Sequence, residues 1–94
     1  ELDEPSDLTM PTAFSPNGDG DNERFVVRGI EVYPKNLFTV VNRWGNVVYE
    51  RPDYRNEWSG ESNKGGQLPN GTYFVILSIN DGTRTLQGFV DLRR

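Results

Sequence analysis

The sequence predicts an all-β chain, an immunoglobulin-like two-layer β-sandwich of about six or seven antiparallel strands. Three observations carry that prediction. No stretch of ten or more residues shows apolar side chains at the 3.6-residue helical period. Short runs rich in β-branched and aromatic residues, several alternating with a period of two, stand between clusters of Gly, Pro, Asn and Asp. These runs recur every ten residues or so along a chain of 94 residues. The Cys-Trp-Cys core of antibody domains is missing, since the chain has no cysteine, so only the architecture is implied.

Taken in order, the stretch Leu8 to Phe14 is broken by Pro11, which gives no backbone donor, and so fits only an edge strand or an extended lead-in. Phe25 to Ile30 (FVVRGI) reads as a further strand. Leu37 to Asn42 (LFTVVN) and Val47 to Glu50 (VVYE) flank the turn Arg43-Trp44-Gly45-Asn46 and make a hairpin. Arg51 to Asn70 is rich in Gly, Pro, Asn and Ser and reads as loop, with Tyr54, Trp58 and Leu68 as its large apolar residues. Thr72 to Asn80 is apolar on both sides, Tyr73, Val75, Leu77 and Ile79 against Phe74 and Ile76, which predicts a central, buried strand. Asn80-Asp81-Gly82 tolerates positive φ and turns the chain into Thr83 to Arg93, where Leu86, Gly88, Val90 and Leu92 face one way and Gln87, Asp91 and Arg93 the other.

Composition bounds the function. Leu, Ile, Val and Phe together number 24, enough for one modest core. The absence of His and Cys removes thiol and imidazole nucleophiles, Ser-His-Asp arrangements, the usual zinc sites and disulfides, and the chain reads as non-enzymatic. No apolar run approaches the roughly 20 residues of a membrane-spanning helix. The net charge of -4 is unevenly placed, because Glu1 to Glu23 holds seven acidic residues and no basic one. The remaining 71 residues carry ten basic against seven acidic ones, spread out rather than gathered in a stripe, which argues against nucleic-acid binding. The opening ELDEPSDL has neither a signal peptide's charge nor its apolar core and reads as a piece cut from a longer protein.

Four segments are candidates for function. Ser15 to Glu23 (SPNGDGDNE) sets Asn17, Asp19, Asp21 and Glu23 among glycines, and alternating oxygen ligands suit a hard cation such as Ca²⁺. It is not an EF-hand: counting from Asn17, Asn22 stands where Gly is needed and Arg28 where Glu is needed. An acidic Asx-type turn that binds nothing is the competing reading. Asn42-Arg43-Trp44-Gly45 places a cation beside an aromatic. Trp44 either stacks a sugar or a partner side chain, or, as favoured, folds back over the end of the sandwich with Arg43 stacked on Tyr54 or Trp58. Trp58-Ser59-Gly60 and Pro69-Asn70-Gly71-Thr72-Tyr73 read as a loop anchor and a turn, and the sequon Asn70-Gly71-Thr72 as incidental. Nothing places the loop acids Glu57 and Glu61, or Asp19 and Asp21, across a cleft for acid-base work.

In order and spacing, Thr12-Ala13-Phe14-Ser15-Pro16-Asn17-Gly18-Asp19-Gly20-Asp21-Asn22, Asn42-Arg43-Trp44-Gly45-Asn46-Val47-Val48-Tyr49-Glu50, Tyr54-Arg55-Asn56-Glu57-Trp58-Ser59-Gly60 and Leu68-Pro69-Asn70-Gly71-Thr72-Tyr73-Phe74 closely resemble one family. It is the gliding-motility-associated C-terminal domain, the type B sorting domain of the type IX secretion system in Bacteroidota. The resemblance runs from about Leu8 to the end, and Glu23-Arg24-Phe25 stands where the family commonly carries an aromatic after the PNGDG loop.

The resemblance implies a non-catalytic module that directs a larger secreted or surface protein across the outer membrane, with outer-membrane secretion machinery as its partner. Glu1 to Asp7 would then be a linker from a preceding domain, residues 8–94 the sorting domain, monomeric in isolation, and Arg93-Arg94 a C-terminal basic pair belonging to the recognised surface. The alternative from a different class is a calcium-dependent surface adhesion or carbohydrate-binding module.

Overall fold

The computed structural model describes residues 8–16, 23–79, 82 and 84–93. The expected linker, Glu1 to Asp7, lies outside them. Strand β1 (Ala13–Phe14) is followed by a short 3-10 helix (Ile30–Val32) and by β2 (Asn36–Val41), β3 (Val47–Pro52), β4 (Gly71–Ile79) and β5 (Arg84–Leu92). Together they form one five-stranded sheet in the order β1-β5-β4-β2-β3. The chain is all-β, as the sequence predicts, but among the described residues there are five strands rather than six or seven. They are not all antiparallel either, since β1 runs parallel to β5.

Both hairpins form. In β4 and β5, Leu77 pairs with Leu86, Val75 with Gly88 and Tyr73 with Val90. On the other side of β4, Phe38 of β2 pairs with Leu77 and Val40 with Val75. β4 is therefore central, and its alternation buries Tyr73, Val75, Leu77 and Ile79. The expectation of burial on both faces is only half met. Phe74 and Ile76 point to the other face and stay partly exposed. There Phe74 and its cross-strand partner Phe89 meet at 5.1 Å between ring centroids.

The second layer is built differently. The strand expected over Phe25 to Ile30 is a single bridge, Thr9 to Arg28, followed by the 3-10 helix. Gly29, at φ 91°, turns the chain out of the extended conformation where a strand would have continued. Phe25 N–H donates to the carbonyl of Trp58 at 2.9 Å and Leu68 N–H to that of Gly60 at 2.8 Å. The Asn56 carboxamide accepts from Val27 N–H at 2.8 Å. Residues 8–9, 25–28, 56–61 and 67–68 thus lie side by side, joined by isolated bonds.

Leu8, Phe25, Val27, Ile30, Tyr54, Trp58 and Leu68 of this layer are buried against the inner face of the sheet. Each side chain buried in full contributes about 1.5–3 kcal/mol, so this layer is where the fold closes its core.

At one edge the two-residue β1 covers only the Asp91–Leu92 end of β5, while the β3 edge is covered by a loop. At β3, the Asn63 carboxamide accepts from Glu50 N–H at 2.7 Å and donates to the Glu50 carbonyl at 3.1 Å. Asn63 N–H adds a bond to the Val48 carbonyl at 3.1 Å. The next outward position is Pro52, which has no N–H, so this edge offers no row of free groups for strand addition.

Candidate functional site

The turn joining β2 to β3 satisfies itself. Asn42 N–H donates to the Asn46 carbonyl at 2.9 Å and Gly45 N–H to the Asn42 carbonyl at 3.0 Å. The Asn42 side-chain oxygen accepts from the N–H groups of Trp44 and Asn46, both at 3.0 Å. Gly45, at φ 86°, takes the left-handed position that lets the turn close. With the N–H groups of Trp44, Gly45 and Asn46 all held by Asn42, the side chains of Arg43 and Trp44 leave from the end of the sheet.

Trp44 is 71% exposed, and the Arg43 guanidinium sits 4.5 Å above its ring. This corrects the expectation that Trp44 folds back and Arg43 stacks on Tyr54 or Trp58. Those two rings are already taken: Tyr54 stacks on Phe38 at 4.2 Å, and Trp58 lies 5.1 Å from Phe14 and 5.8 Å from Tyr49.

The segment leading into β4 faces this turn, because Val41 at the end of β2 pairs with Phe74. It is held from beneath: the Tyr73 hydroxyl donates to the Pro69 carbonyl at 2.7 Å, and Leu68 is buried. Arg43 and Trp44 on one side and Pro69, Asn70 and Thr72 on the other enclose a cleft of about 140 Å³. That is below the roughly 300–1,000 Å³ of small-molecule pockets, and suits a single ring or side chain. No acidic side chain lines it, and Arg43 makes no ion pair among the described residues, so the cleft is a cationic point on an acidic protein.

Of the other sequence-predicted sites, the described residues Glu23, Glu57, Glu61 and Arg93 do not line this cleft. Asn17, Asp19 and Asp21 of the proposed calcium loop lie outside the described residues, while Glu23 is half-buried. Among the described residues no three acidic side chains gather as a metal site would require. Arg93 is exposed and its Nε donates to Asp91 at 2.8 Å, while its N–H holds the Phe14 carbonyl at 3.1 Å. Arg94 lies outside the described residues.

Glu57 and Glu61 serve the loop. Glu57 pairs with Arg51 at 3.1 Å and accepts from Arg55 N–H at 2.6 Å. Glu61 accepts from the N–H and hydroxyl of Ser59 at 2.8 and 3.0 Å.

Burial pushes the Tyr54 hydroxyl well above its ordinary range, and burial together with the Glu61 charge raises Tyr49. Tyr54 keeps its proton for a structural use, donating to the Phe25 carbonyl at 2.6 Å and accepting from Trp58 N–H at 3.1 Å.

Sequence reasoning read Asn42 to Gly45 and Pro69 to Tyr73 as separate turns and missed that they make one cleft. The available signal was strand register: two turns at the same end of adjacent strands must face each other once β2 is placed beside β4.

No curated protein matches the chain. A family model described as the CHU_C type IX secretion signal domain matches residues 8–92, a span that takes in both walls of the cleft and the whole sheet. The chain therefore belongs to the type IX secretion signal domain family.

Proposed function

We propose that this domain is a non-catalytic sorting signal that carries a larger cargo protein across the outer membrane through the type IX machinery, to the surface or the medium. The observation that carries the reading is the family match over residues 8–92. The fold is in keeping with it: the buried polar groups hold loops together, and the exposed Trp44 end offers a surface to a partner. Among the described residues no helix is long and apolar enough to cross a membrane, in line with a passenger rather than a helical membrane protein. Arg93 and Arg94 remain part of this proposal as a basic end of the recognised surface.

Fusing residues 1–94 to a reporter with a signal peptide, in a type IX host, tests the reading. Export of the fusion is expected, and retention of the reporter in the periplasm would refute it. Arg93→Glu with Arg94→Glu is expected to reduce export while changing stability by no more than about 0.5 kcal/mol. The second reading, a surface carbohydrate-binding module, draws on the exposure of Trp44 and is tested by glycan-array binding.

The calcium proposal for Asn17, Asp19, Asp21 and Glu23 has its own test. At a hundred times its dissociation constant the ion adds about 2.7 kcal/mol, more than about ten degrees of melting temperature for a domain this size. Millimolar Ca²⁺ is expected to raise the midpoint over EDTA in the native chain but not in Asp19→Ala with Asp21→Ala. Equal midpoints in the native chain would leave an ordinary acidic turn.

A further inference from the structure

We infer that the Arg43-Trp44 turn and the Pro69 to Thr72 segment facing it are the docking point for a protein partner that presents an apolar side chain beside a carboxylate; the inference rests on the export role proposed above. Trp and Arg are two of the residue types most enriched among energetic centres of protein interfaces. Here they are adjacent, and Trp44 stands 71% exposed on a turn whose Trp44, Gly45 and Asn46 N–H groups are all held by Asn42. The pair is preorganised by its own cation-π contact at 4.5 Å, which lowers the entropy lost on docking.

The cleft has room for one ring or one branched side chain, the size of an interface anchor rather than of a free metabolite. Charge selects the rest of the partner. Arg43 has no ion pair among the described residues and no acid lines the cleft, so a carboxylate next to the anchor completes the site. A sugar fits less well. Arg43 already covers one face of the indole, and the walls lack the carboxylate acceptors that sugar hydroxyls favour. Strand addition at β3 is blocked by Asn63 and Pro52, so recognition there falls to side chains.

The test measures binding of the purified 94-residue chain to outer-membrane vesicles from a type IX secreting bacterium, alongside export of the reporter fusion. Trp44→Ala and Arg43→Glu are each expected to weaken vesicle binding about thirtyfold, as loss of an interface centre does. Arg43→Lys, which keeps the charge, should lose less. Phe89→Ala, which removes a comparably exposed aromatic (64%) from the open sheet face, should bind as the native chain does. Protease treatment of the vesicles is expected to abolish binding and periodate oxidation to leave it intact.

Native-like binding by both Trp44→Ala and Arg43→Glu, no binding by the native chain, or binding that survives protease and is lost to periodate would each overturn the inference. Export separates the two claims. A native fusion that is not exported refutes the sorting role, while the vesicle measurement alone decides the docking point. Trp44 and Arg43 lie outside the core, so unchanged melting of both variants shows that a binding loss is not unfolding.

Discussion

The two tryptophans of this chain occupy opposite environments. Trp58 is fully buried: its ring nitrogen donates to the Glu61 carbonyl at 2.7 Å, its N–H to the Tyr54 hydroxyl at 3.1 Å, and five other aromatic rings surround it. Trp44 is mostly exposed and touches the Arg43 side chain beside it. Both sit in loops among Gly, Asn and charged residues, so local composition does not separate them.

The lengths of the two loops do. The long segment from Asp53 to Asn70 can cross the sheet and offer backbone groups to other segments, whereas the four-residue turn at 43–46 spends its hydrogen bonds on itself and has no reach. A buried aromatic thus marks where the chain needs tertiary partners, and an exposed one marks where the fold can spare it for a partner outside.

The comparison breaks most severely at Trp58. Trp58→Ala is expected to cost about 3–5 kcal/mol, because it opens a cavity among rings that cannot collapse around it. Melting temperature should fall by well over about ten degrees, and an unchanged midpoint in a thermal melt would show that the second layer is not part of the cooperative core.

Asn36 is the next point of attack. Its buried carboxamide accepts from Tyr54 N–H at 2.8 Å and donates to the Tyr33 carbonyl at 2.8 Å, fixing the loop that carries Tyr54 and, through the Tyr54 hydroxyl, Trp58. Asn36→Ala should cost about 1–3 kcal/mol in a urea titration, since it strands a buried donor and acceptor.

Alkaline pH sharpens the same region. The folded Tyr54 hydroxyl titrates far above its unfolded value near 10, so the unfolded chain loses its proton first. The stability this proton supports is present in full below about pH 10 and is lost as pH rises further, at up to about 1.4 kcal/mol per pH unit for this group. Melts between pH 8 and 11 should show that decline, and it should be shallower in Tyr54→Phe. An identical slope in the two would place the alkaline loss elsewhere.

Trp44→Ala marks the small end of the scale. It is expected to change stability by less than about 0.5 kcal/mol, and a larger loss in the urea midpoint would mean that the turn serves the fold as well as a partner.

Local chemistry alone determined much of this molecule. The apolar run of Thr72 to Asn80 and the period-two pattern of Leu86 to Leu92 beyond the turn are enough to place the central hairpin, while which face of β4 turns inward is set by the sheet's packing. Pro11 confines Leu8 to Phe14 to an edge, and β1 forms there as two residues. Four ordered motifs were enough to point to the family.

What the local pattern could not decide was everything set by contacts distant in sequence. Phe25 to Ile30 has strand-like composition, yet a strand needs a partner along its length, and only the scattered bonds from Thr9, Asn56 and Trp58 were available. The fate of Trp44 turned on whether Tyr54 and Trp58 had a free ring face, which depends on Phe14, Phe38 and Tyr49 from other parts of the chain. The cleft beside Trp44 exists because β2 lies next to β4 across a 28-residue gap from Asn42 to Asn70, and pairing at that distance follows from the packing of the whole sheet rather than from either turn.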